Sequence, residues 1–563
     1  MNKKNSKLVI LLATCLIAVF SSFKAQLPEN PKEQAASENP KIVNIVNFIR
    51  LLEPRDPKIT QDVLYQTVVK QIELMQQYKL GGTFLLQYDA LMDPRYQALL
   101  KTLPKDSFEI GAWWEIPQPL VEKAGLKWRG RFPWDWHADV GFSTGYTPAE
   151  RELLADVYMK DFKEVFGYYP KSVASWFIDA HTLNYMYEKY GIVASANCKD
   201  QLGTDGYTLW GGYYNQAYYP SKINAYMPAQ NAENQIPVPI FRMLGTDPIR
   251  QYDNGLGNKR QGVVTLEPVY PEAGGNETWI NWYFKELVNG EDMEFNYTQA
   301  GQENSFTWAA MEKGLRIQFP LIAKLRDEKK VRVETLEQSG RWFKEKYKVT
   351  PATSMTVNED IEGSDLKTVW FNSRYFRANL LWEKGSLRFR DIHMFNEKFP
   401  SIYEKERATK NEVMFFTLPV VDGNVWSTKN AQAGLSFSAL IDGKDVLLEG
   451  HDPIIKSTAP GKLDISWPLK NTSGTLHIRM DERQIEIKIV GNAALKWYLD
   501  LTSSDEAVLP FTKVGKSRID NRFEGMDYAV TTSAGTFSKP QGKTALRMQP
   551  QSQKLVINLS GVK

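Results

Sequence analysis

The sequence predicts an α/β fold, in which a parallel (β/α) barrel over residues 41–365 precedes an antiparallel β-sandwich over residues 366–563. Strand and helix patterns alternate through the first region, and such alternation is typical of parallel βα units. In the second region apolar residues recur with a period of two between turn signals, which is typical of a sandwich. The 563 residues are enough for about two to four domains.

The N-terminal residues 1–25 are predicted to be a signal peptide. Three lysines precede an apolar run over residues 8–20, and small residues lead to a cleavage site after Ala25. Cys15 lies inside that run, which continues past it, so a lipid-bearing cysteine is the less favoured alternative. Residues 26–40 are polar and contain proline, so they are predicted to be a linker.

The predicted barrel is assembled from short apolar runs and from helices with one apolar face. Two helices have capping boxes, formed by Thr147 with Glu150 and by Thr335 with Gln338. The predicted strands are 41–49, 83–87, 108–114, 172–178, 192–195, 238–244, 262–266 and 331–333. The other predicted helices cover residues 62–78, 183–190 and 306–325.

The predicted sandwich consists of alternating strands. Asp442 and Gly443 form a turn between two of them, and residues 481–483 form a tight turn between two more. The predicted strands are 435–439, 446–448, 476–480, 485–489, 497–501 and 555–559.

The composition excludes several classes of protein. Lys and Arg number 69 and Asp and Glu 66, a net charge of +3, which disfavours nucleic acid and anionic membranes as partners. Cys198 is the single cysteine after cleavage, so no internal disulfide forms. No later stretch approaches the length of an integral membrane segment. These features predict a bacterial protein that is exported to the periplasm, the extracellular space or the cell surface.

Chemistry is expected from carboxylates at predicted strand ends, because nucleotide, zincin and serine-hydrolase motifs are absent. Asp179 ends one strand, and the alternative interpretation is that it caps the next helix. Glu303 follows Gly301 at the start of a long helix, where it could equally complement the helix dipole. Glu267 and Asp247 also follow strands, each beside a proline.

Two loops are rich in aromatic residues, which suit sugar stacking, with plain packing as the alternative. One loop follows the strand 108–114, and the other spans residues 206–226. The predicted substrate-binding residues are Trp113, Trp114, Glu115, Trp134, Trp136, Tyr213, Tyr214 and Asp247. The first loop also contains His137 and Asp139, whose spacing suits two metal ligands.

Residues 170–197 contain a strand ending in Trp-Phe-Ile-Asp179, a helix, a Gly-Ile turn and a further strand. This segment resembles family fifty-seven glycosidases of the glycoside hydrolase/deacetylase superfamily, whose catalytic domain is a seven-stranded (β/α) barrel. In their W-L-x-E segment the Glu is the nucleophile, so the resemblance implies that role for Asp179. The shorter Asp is a departure from the family.

Two further segments resemble polysaccharide deacetylases. Thr83-Phe-Leu-Leu is similar to the deacetylase T-F-F-V strand, and Glu109-Ile-Gly-Ala-Trp to H-E-I-G-x-H. The Asp-Asp pair expected after the first strand reads Asn47-Phe-Ile-Arg50 here, and the H-x-x-x-H motif is absent, which disfavours a standard metal-dependent deacetylase. The whole chain also resembles a two-domain family of exported Bacteroidetes proteins of unassigned function.

The prediction is an exported carbohydrate-active enzyme, a glycoside hydrolase that acts on a poly- or oligosaccharide through paired carboxylates. Asp179 is the expected nucleophile or stabiliser, and Glu303, or else Glu267, is the expected general acid/base. This reaction requires no cofactor.

Two alternatives stay open. The first is a metal-dependent carbohydrate deacetylase, with a divalent metal on His137, Asp139 and His181. The second is a non-catalytic glycan-binding protein of the cell surface. Metal content separates the glycosidase from the deacetylase, and turnover of a glycan excludes the binding protein.

Overall fold

A parallel sheet with helices around it forms the first part of the fold. Along one path the strand order is β13-β1-β2-β3-β4-β5-β11, and every neighbouring pair on it is parallel. The strands are β1 (Lys41–Ile49), β2 (Gly82–Leu86), β3 (Phe108–Trp113), β4 (Ser172–Ala174), β5 (Ala194–Asn197), β11 (Ile240–Arg242) and β13 (Asn296–Ala300). Strand β14 (Arg332–Glu334) also pairs in parallel with β1, and β8 (Ala217–Tyr218) pairs antiparallel with β11.

The computed structural model describes residues 39–253, 255–257, 260, 264–540 and 542–561, and residues 40–563 form one unit. Among the described residues no ladder joins β13 to β11, so the sheet is a half-barrel. The predicted fold class, a parallel α/β domain followed by antiparallel sheets, is confirmed. The predicted signal peptide and residues 26–38 of the predicted linker lie outside the described residues, as do residues 262 and 263 of one predicted strand.

All five predicted helices are present, and the described part of the chain has four further α-helices that were not predicted. All nine residues of β1 are buried, and the predicted face of α1, with Leu64, Val68, Ile72 and Met75, is buried as well. Both predicted capping boxes are present, at Thr147 and Thr335. The helices are α1 (Gln61–Gln77), α2 (Tyr88–Leu91), α3 (Pro94–Leu100), α4 (Gln118–Lys123), α5 (Pro148–Phe166), α6 (Ala180–Tyr190), α7 (Glu277–Asn289), α8 (Trp308–Asp327) and α9 (Leu336–Lys346).

Antiparallel sheets dominate the C-terminal part. The larger has the order β12-β15-β16-β17-β18-β21-β27-β32-β31, with β20 beside β18 and β22 beside β21. Its strands are β12 (Asp292–Met293), β15 (Thr353–Val357), β16 (Lys367–Asn372), β17 (Phe376–Glu383), β18 (Ser386–Met394), β20 (Leu418–Asp422), β21 (Gly434–Ile441), β22 (Lys444–Leu447), β27 (Lys496–Thr502), β31 (Thr536–Ser538) and β32 (Leu546–Gln549). Strands β12 and β15 join it although both precede residue 366.

The second antiparallel sheet has the order β23-β24-β25-β26-β33-β30-β29-β28. The predicted pairing of residues 476–480 with 485–489 across a tight turn is confirmed by β25 and β26. Its strands are β23 (Ile454–Ala459), β24 (Lys462–Pro468), β25 (Thr475–Met480), β26 (Gln484–Val490), β28 (Phe511–Val514), β29 (Arg518–Phe523), β30 (Met526–Ala534) and β33 (Lys554–Asn558).

Two small sheets complete the fold. Strand β9 (Pro220–Ser221) pairs with β10 (Asn224–Pro228). Strand β6 (Gln201–Thr204) pairs with β7 (Tyr207–Trp210), and β7 also pairs in parallel with β19 (Val413–Phe416). A strand from the C-terminal part thus completes a hairpin of the N-terminal part. Within the described part of the chain, no helix has the length and apolar character needed to cross a membrane.

Candidate active site

A narrow cavity of about 70 Å³ lies at the C-terminal ends of the parallel strands. Arg50 directly follows β1, Trp176 follows β4, and Glu303 follows β13. In parallel α/β folds the loops after these strand ends carry the functional groups. The other lining residues are Arg55, Glu115, Trp134, Trp136, Phe142, Gln201, Thr204, Asp205, Tyr207, Leu244, Glu267, Tyr270 and Phe306.

Arg50 joins two carboxylates across the cavity. Its Nε and Nη2 donate to the two oxygens of Glu115, at 2.9 and 2.8 Å. Its Nη1 donates to Glu303 Oε1 at 3.2 Å, and Nη2 lies 3.0 Å from Glu303 Oε2. The Asn304 side chain accepts from Arg50 N and donates to Arg50 O, so the backbone after β1 is tied to the loop after β13. The guanidinium is thereby held in one orientation between its partners.

Glu303 is a buried carboxyl whose pKa is raised to about 7. Burial is the largest cause, and the negative charge of Glu115 raises the pKa further. The charges of Arg50 and Arg55 and a 2.6 Å hydrogen bond from Ser305 Oγ act in the opposite direction. A carboxyl with this pKa is protonated in about half of the molecules at pH 7, so it can donate that proton to a substrate oxygen.

Glu267 is the second carboxyl of the cavity that the sequence predicted to be catalytic. Gln302 Nε2 donates to its Oε1 at 2.9 Å, and Thr265 Oγ1 donates to its Oε2 at 2.7 Å. Burial raises the pKa of Glu267, while these hydrogen bonds and the charge of Lys199 lower it. Gln302 Oε1 accepts from Glu303 N at 2.8 Å, so Gln302 links the two carboxyl-bearing residues.

The remaining wall of the cavity is aromatic. The Arg50 guanidinium carbon lies 4.1 Å from the centre of the Trp134 ring, and that of Arg55 lies 5.5 Å from the Trp136 ring. Trp176, which follows β4, is half-buried, and its ring centre lies 5.5 Å from that of Phe48. Aromatic faces beside polar groups are the usual lining of a small-molecule site.

Arg55 stands at the exposed rim. Glu53 accepts from Arg55 Nε and Nη2, at 2.7 Å each. The Arg55 Nη1 atom lies 3.6 Å from a carboxylate oxygen of Asp205, which belongs to the turn between β6 and β7. The rim is therefore polar and charged, while the floor is buried.

Asp179 lies outside this cavity lining. It is the N-cap of α6 and accepts from Thr182 N at 2.8 Å, so the alternative interpretation, that Asp179 caps the following helix, is confirmed. Arg151 Nη1 donates to it at 3.0 Å and Ser143 Oγ at 2.5 Å. Arg151 and these hydrogen bonds lower the pKa of Asp179 despite its burial. Its oxygens are therefore already occupied by protein donors.

Four of the predicted sugar-binding aromatic residues lie in the core and outside the cavity lining: Trp113, Trp114, Tyr213 and Tyr214. Trp113 stacks on Phe48 with ring centres 4.0 Å apart. Tyr214 stacks on Trp370 at 3.8 Å. Packing accounts for these rings, whereas Trp134, Trp136 and Glu115 line the cavity, and their role in substrate binding stays a prediction.

Asp247 is also outside the cavity lining and fully buried. It accepts from the backbone N–H groups of Ile249 and Arg250, at 2.9 Å each. Trp279 Nε1 donates to its other oxygen at 3.3 Å. Asp247 thus holds a turn together, which is a common role for aspartate beside proline.

The residues predicted for a metal do not form a ligand set. His181 Nε2 lies 3.0 Å from Glu152 Oε1, a residue of α5. His137 and Asp139 lie in the loop after β3 without a third ligand. Among the described residues, no group of three or more His, Cys, Asp and Glu side chains is arranged to hold a metal ion. The donor set of the deacetylase alternative is therefore not assembled here.

Sequence reasoning missed several lining residues, notably Arg50, Arg55, Gln201 and Trp176. For Arg50 a signal existed, because it is a charged residue directly after a fully apolar strand end. The other three lie in loops or in a short hairpin whose position relative to the strands is not encoded locally.

A larger groove of about 620 Å³ lies elsewhere, between residues 399–416 and 524–526. It exposes Ile402 and Met414, by 69% and 50%. It does not contain the strand ends of the parallel sheet, so the smaller cavity is the better candidate for catalysis.

The sequence model of one family, described as a domain of unknown function with a solved structure (DUF3863), matches residues 139–376. That span includes Glu267 and Glu303 but not Arg50 or Glu115. No curated protein matches the chain.

Several solved structures are similar to this chain. A candidate glycoside hydrolase/deacetylase from Parabacteroides distasonis is 15% identical, over 68% of this chain and 91% of its own, with a TM-score of 0.49. A 4-alpha-glucanotransferase from Thermococcus litoralis is 10% identical, over 93% and 98%, with a TM-score of 0.33. A candidate polysaccharide deacetylase from Mycobacterium smegmatis is 11% identical, over 55% and 92%, with a TM-score of 0.34. These structures are ones to which the chain is similar, and we argue the function from the residues of this chain.

Proposed function

We propose that this protein hydrolyses glycosidic bonds, with Glu303 as the general acid and Glu267 as the second carboxylate. One observation carries the proposal: two buried carboxyls, both with raised pKa values, line one cavity at the C-terminal strand ends. The tryptophans beside them suit the apolar faces of a sugar ring. Glu267 takes the role that the sequence analysis gave to Asp179.

The different surroundings of the two carboxyls give them different catalytic roles. Glu303 holds a proton near pH 7 and gives it to the leaving oxygen as the bond from that oxygen to the anomeric carbon breaks. The hydrogen bonds from Gln302 and Thr265 favour the ionised form of Glu267. Its carboxylate either attacks the anomeric carbon or removes a proton from the attacking water. Two acids kept in different protonation states are what glycoside hydrolysis requires.

The test is turnover by the full chain on 4-nitrophenyl glycosides and on a panel of polysaccharides, followed for released nitrophenol and reducing ends. Glu303→Gln and Glu267→Gln should each lower kcat by about 100-fold or more, since general acid–base catalysis alone contributes about 10²–10⁴-fold. The melting temperature should stay close to that of the wild type.

Glu109 supplies a matched control. It is a buried glutamate whose pKa is also raised to about 7, and it accepts from Thr83 Oγ1 and Ser172 Oγ at the opposite end of the strands. At about 3.3 Å per residue, it lies roughly 13 Å before Trp113, the residue at which β3 ends. Glu109→Gln should leave turnover unchanged. Equal losses from Glu109→Gln and Glu303→Gln would contradict the proposal.

A different outcome would favour the glycan-binding alternative. Binding of an oligosaccharide by calorimetry, without turnover of any substrate, would show that the cavity recognises sugar and does not hydrolyse it. Acetate release without release of reducing ends would instead indicate a deacetylase.

We further propose that the protein acts outside the cytoplasm. The support is residues 1–25, whose lysines, apolar run and small residues have the pattern of a signal peptide. Fractionation of cells that express the full chain tests this, and a cytoplasmic full-length product would contradict it.

A further inference from the structure

We infer that Gln201 and Trp134 form a subsite that binds an oxygen substituent of the sugar through two N–H groups. This inference rests on the proposed function and extends it from catalysis to substrate choice. Both residues line the cavity that contains Glu303. They are 2% and 1% exposed, respectively.

Neither N–H group has an acceptor in ordinary hydrogen-bond geometry within the described chain. Both nitrogen atoms, Gln201 Nε2 and Trp134 Nε1, are buried. A buried donor without an acceptor destabilises a fold, and most such groups have a partner. An acceptor that arrives with the substrate would account for both.

The orientation of Gln201 is defined by its neighbour Cys198. The Cys198 thiol donates to Gln201 Oε1 at 3.7 Å. The amide oxygen therefore has a hydrogen-bond partner, and the amide nitrogen is the atom that remains for a ligand. The Gln201 amide interacts with the buried Tyr207 hydroxyl closely enough to oppose the rise of that hydroxyl's pKa, but Nε2 has no acceptor in ordinary hydrogen-bond geometry. The amide N–H is therefore held in place without a well-formed hydrogen bond.

The orientation of Trp134 is defined by the two arginines. The guanidinium carbons of Arg50 and Arg55 lie 4.1 and 5.3 Å from its ring centre. Trp113 and Trp114 also have unpaired Nε1–H groups, but they lie outside the cavity lining. Among these three, Trp134 is the one whose side chain lines the cavity.

The size of the cavity limits what enters it. A volume of about 70 Å³ is several times the ~10–15 Å³ that a single water molecule needs in the same measure. This matches a substituent of a few non-hydrogen atoms, such as a hydroxymethyl or hydroxyl group, and not a whole sugar ring. The subsite thus binds one substituent of the sugar, and the sugar ring lies nearer the rim of the cavity.

The decisive variant is Gln201→Met, which keeps the length of the side chain and removes the N–H group. Gln235→Met is the matched control, because Gln235 is buried outside the cavity and its Nε2 donates to Lys348 O at 2.9 Å. The melting temperature should fall for Gln235→Met and stay equal or rise for Gln201→Met. A fall of equal size in both variants would show that Gln201 is an ordinary structural amide and would overturn the inference.

Substrate discrimination is the second readout. The 4-nitrophenyl glycoside that the wild type cleaves fastest is compared with its monodeoxy analogues. Gln201→Met should lower kcat/KM at least 10-fold on the parent and less than 3-fold on one analogue, because a site built to bind a hydroxyl gains nothing from a substrate that lacks it. Uniform loss on all analogues would overturn the inference while leaving the proposed hydrolase intact.

A binding measurement covers the case in which no glycoside is cleaved and the proposed function fails. Glucose, galactose, mannose and N-acetylglucosamine are titrated into the wild type and into Gln201→Met by calorimetry. The inference expects at least one sugar to bind the wild type at least 5-fold more tightly than the variant. Absence of binding by the wild type, or equal affinities, would overturn it.

Discussion

Asp179→Asn offers a sharp test, because the sequence and the structure lead to opposite expectations. A nucleophile at this position would make the variant inactive and leave its stability unchanged. In the structure Asp179 is paired with Arg151, which is fully buried. The substitution keeps the shape of the side chain and removes the negative charge, so the Arg151 charge stays buried without compensation.

The expected loss of folding stability follows from the burial of Arg151. Breaking a buried ion pair by removing one partner costs about 3–5 kcal/mol. Residues 40–563 form one unit, and about 520 residues at about 2.1 cal/mol/K each have an unfolding entropy of about 1.1 kcal/mol/K. If this unit unfolds cooperatively, Tm should fall by about 3–5 °C. Turnover by the folded protein should change less than twofold, because Asp179 does not line the cavity.

Thermal unfolding followed by circular dichroism measures the shift, with Asp156→Asn as the control. Asp156 also has a lowered pKa and several donors, among them Lys189, but its side chain is 37% exposed. An exposed pair contributes only about 0–1 kcal/mol, so Tm should fall by 1 °C at most. Folding lowers the pKa of Asp179, so the ionised carboxylate stabilises the folded state. This stabilisation is complete at pH values above the pKa of an unfolded Asp, about 3.9, and is lost as the pH falls through the pKa in the folded state.

The difference between wild type and Asp179→Asn should therefore be constant from pH 5 to 7 and narrow below about pH 4. Loss of turnover with an unchanged Tm would refute this reasoning and restore Asp179 as the nucleophile.

Other predictions concern the cavity itself. Wild-type turnover should decline as the pH rises through about 7, because Glu303 must be protonated; a rate that is constant from pH 5 to 9 would contradict its role as the acid. In Arg50→Met the pH above which turnover declines should move upward, since the Arg50 charge lowers the pKa of Glu303. The free energy of unfolding measured in urea should fall by about 3–5 kcal/mol, because the buried Glu115 loses its cationic partner. Trp136→Ala should weaken oligosaccharide binding by about 1–2 kcal/mol in calorimetry with little loss of stability, whereas Trp113→Ala should cost about 3–5 kcal/mol of stability.

Much of the fold was predictable because the signals are local. The apolar run of β1, the buried face of α1 and the capping boxes at Thr147 and Thr335 each lie within a few residues of sequence. Closure of the barrel depends on whether β11 meets β13, which is decided by packing between segments far apart in the chain. The sequence does not encode that contact locally, and no ladder joins these two strands within the described residues.

The candidate site was predictable only in part, for the same reason. Glu303 and Glu267 were expected because each follows a strand at a turn. Arg50 is separated from its partners Glu115 and Glu303 by 65 and 253 residues of sequence, and no local pattern predicts these pairs. For Asp179 the local signal is the same for a helix cap and for a nucleophile. The contact with Arg151 from α5 distinguishes the two roles, and it is visible only in three dimensions.

The parallel pairing of β19 with β7 has a consequence for biosynthesis. Tyr207 lines the cavity and pairs with Val413, which is made 206 residues later. At about 5–20 residues per second, the ribosome needs roughly 10–40 s to supply that partner. During this interval the hairpin has an open edge, and its apolar rings lack the cover that β19 provides. The nascent chain should therefore depend on chaperones up to about residue 416, and a shortened chain that ends before β19 should aggregate.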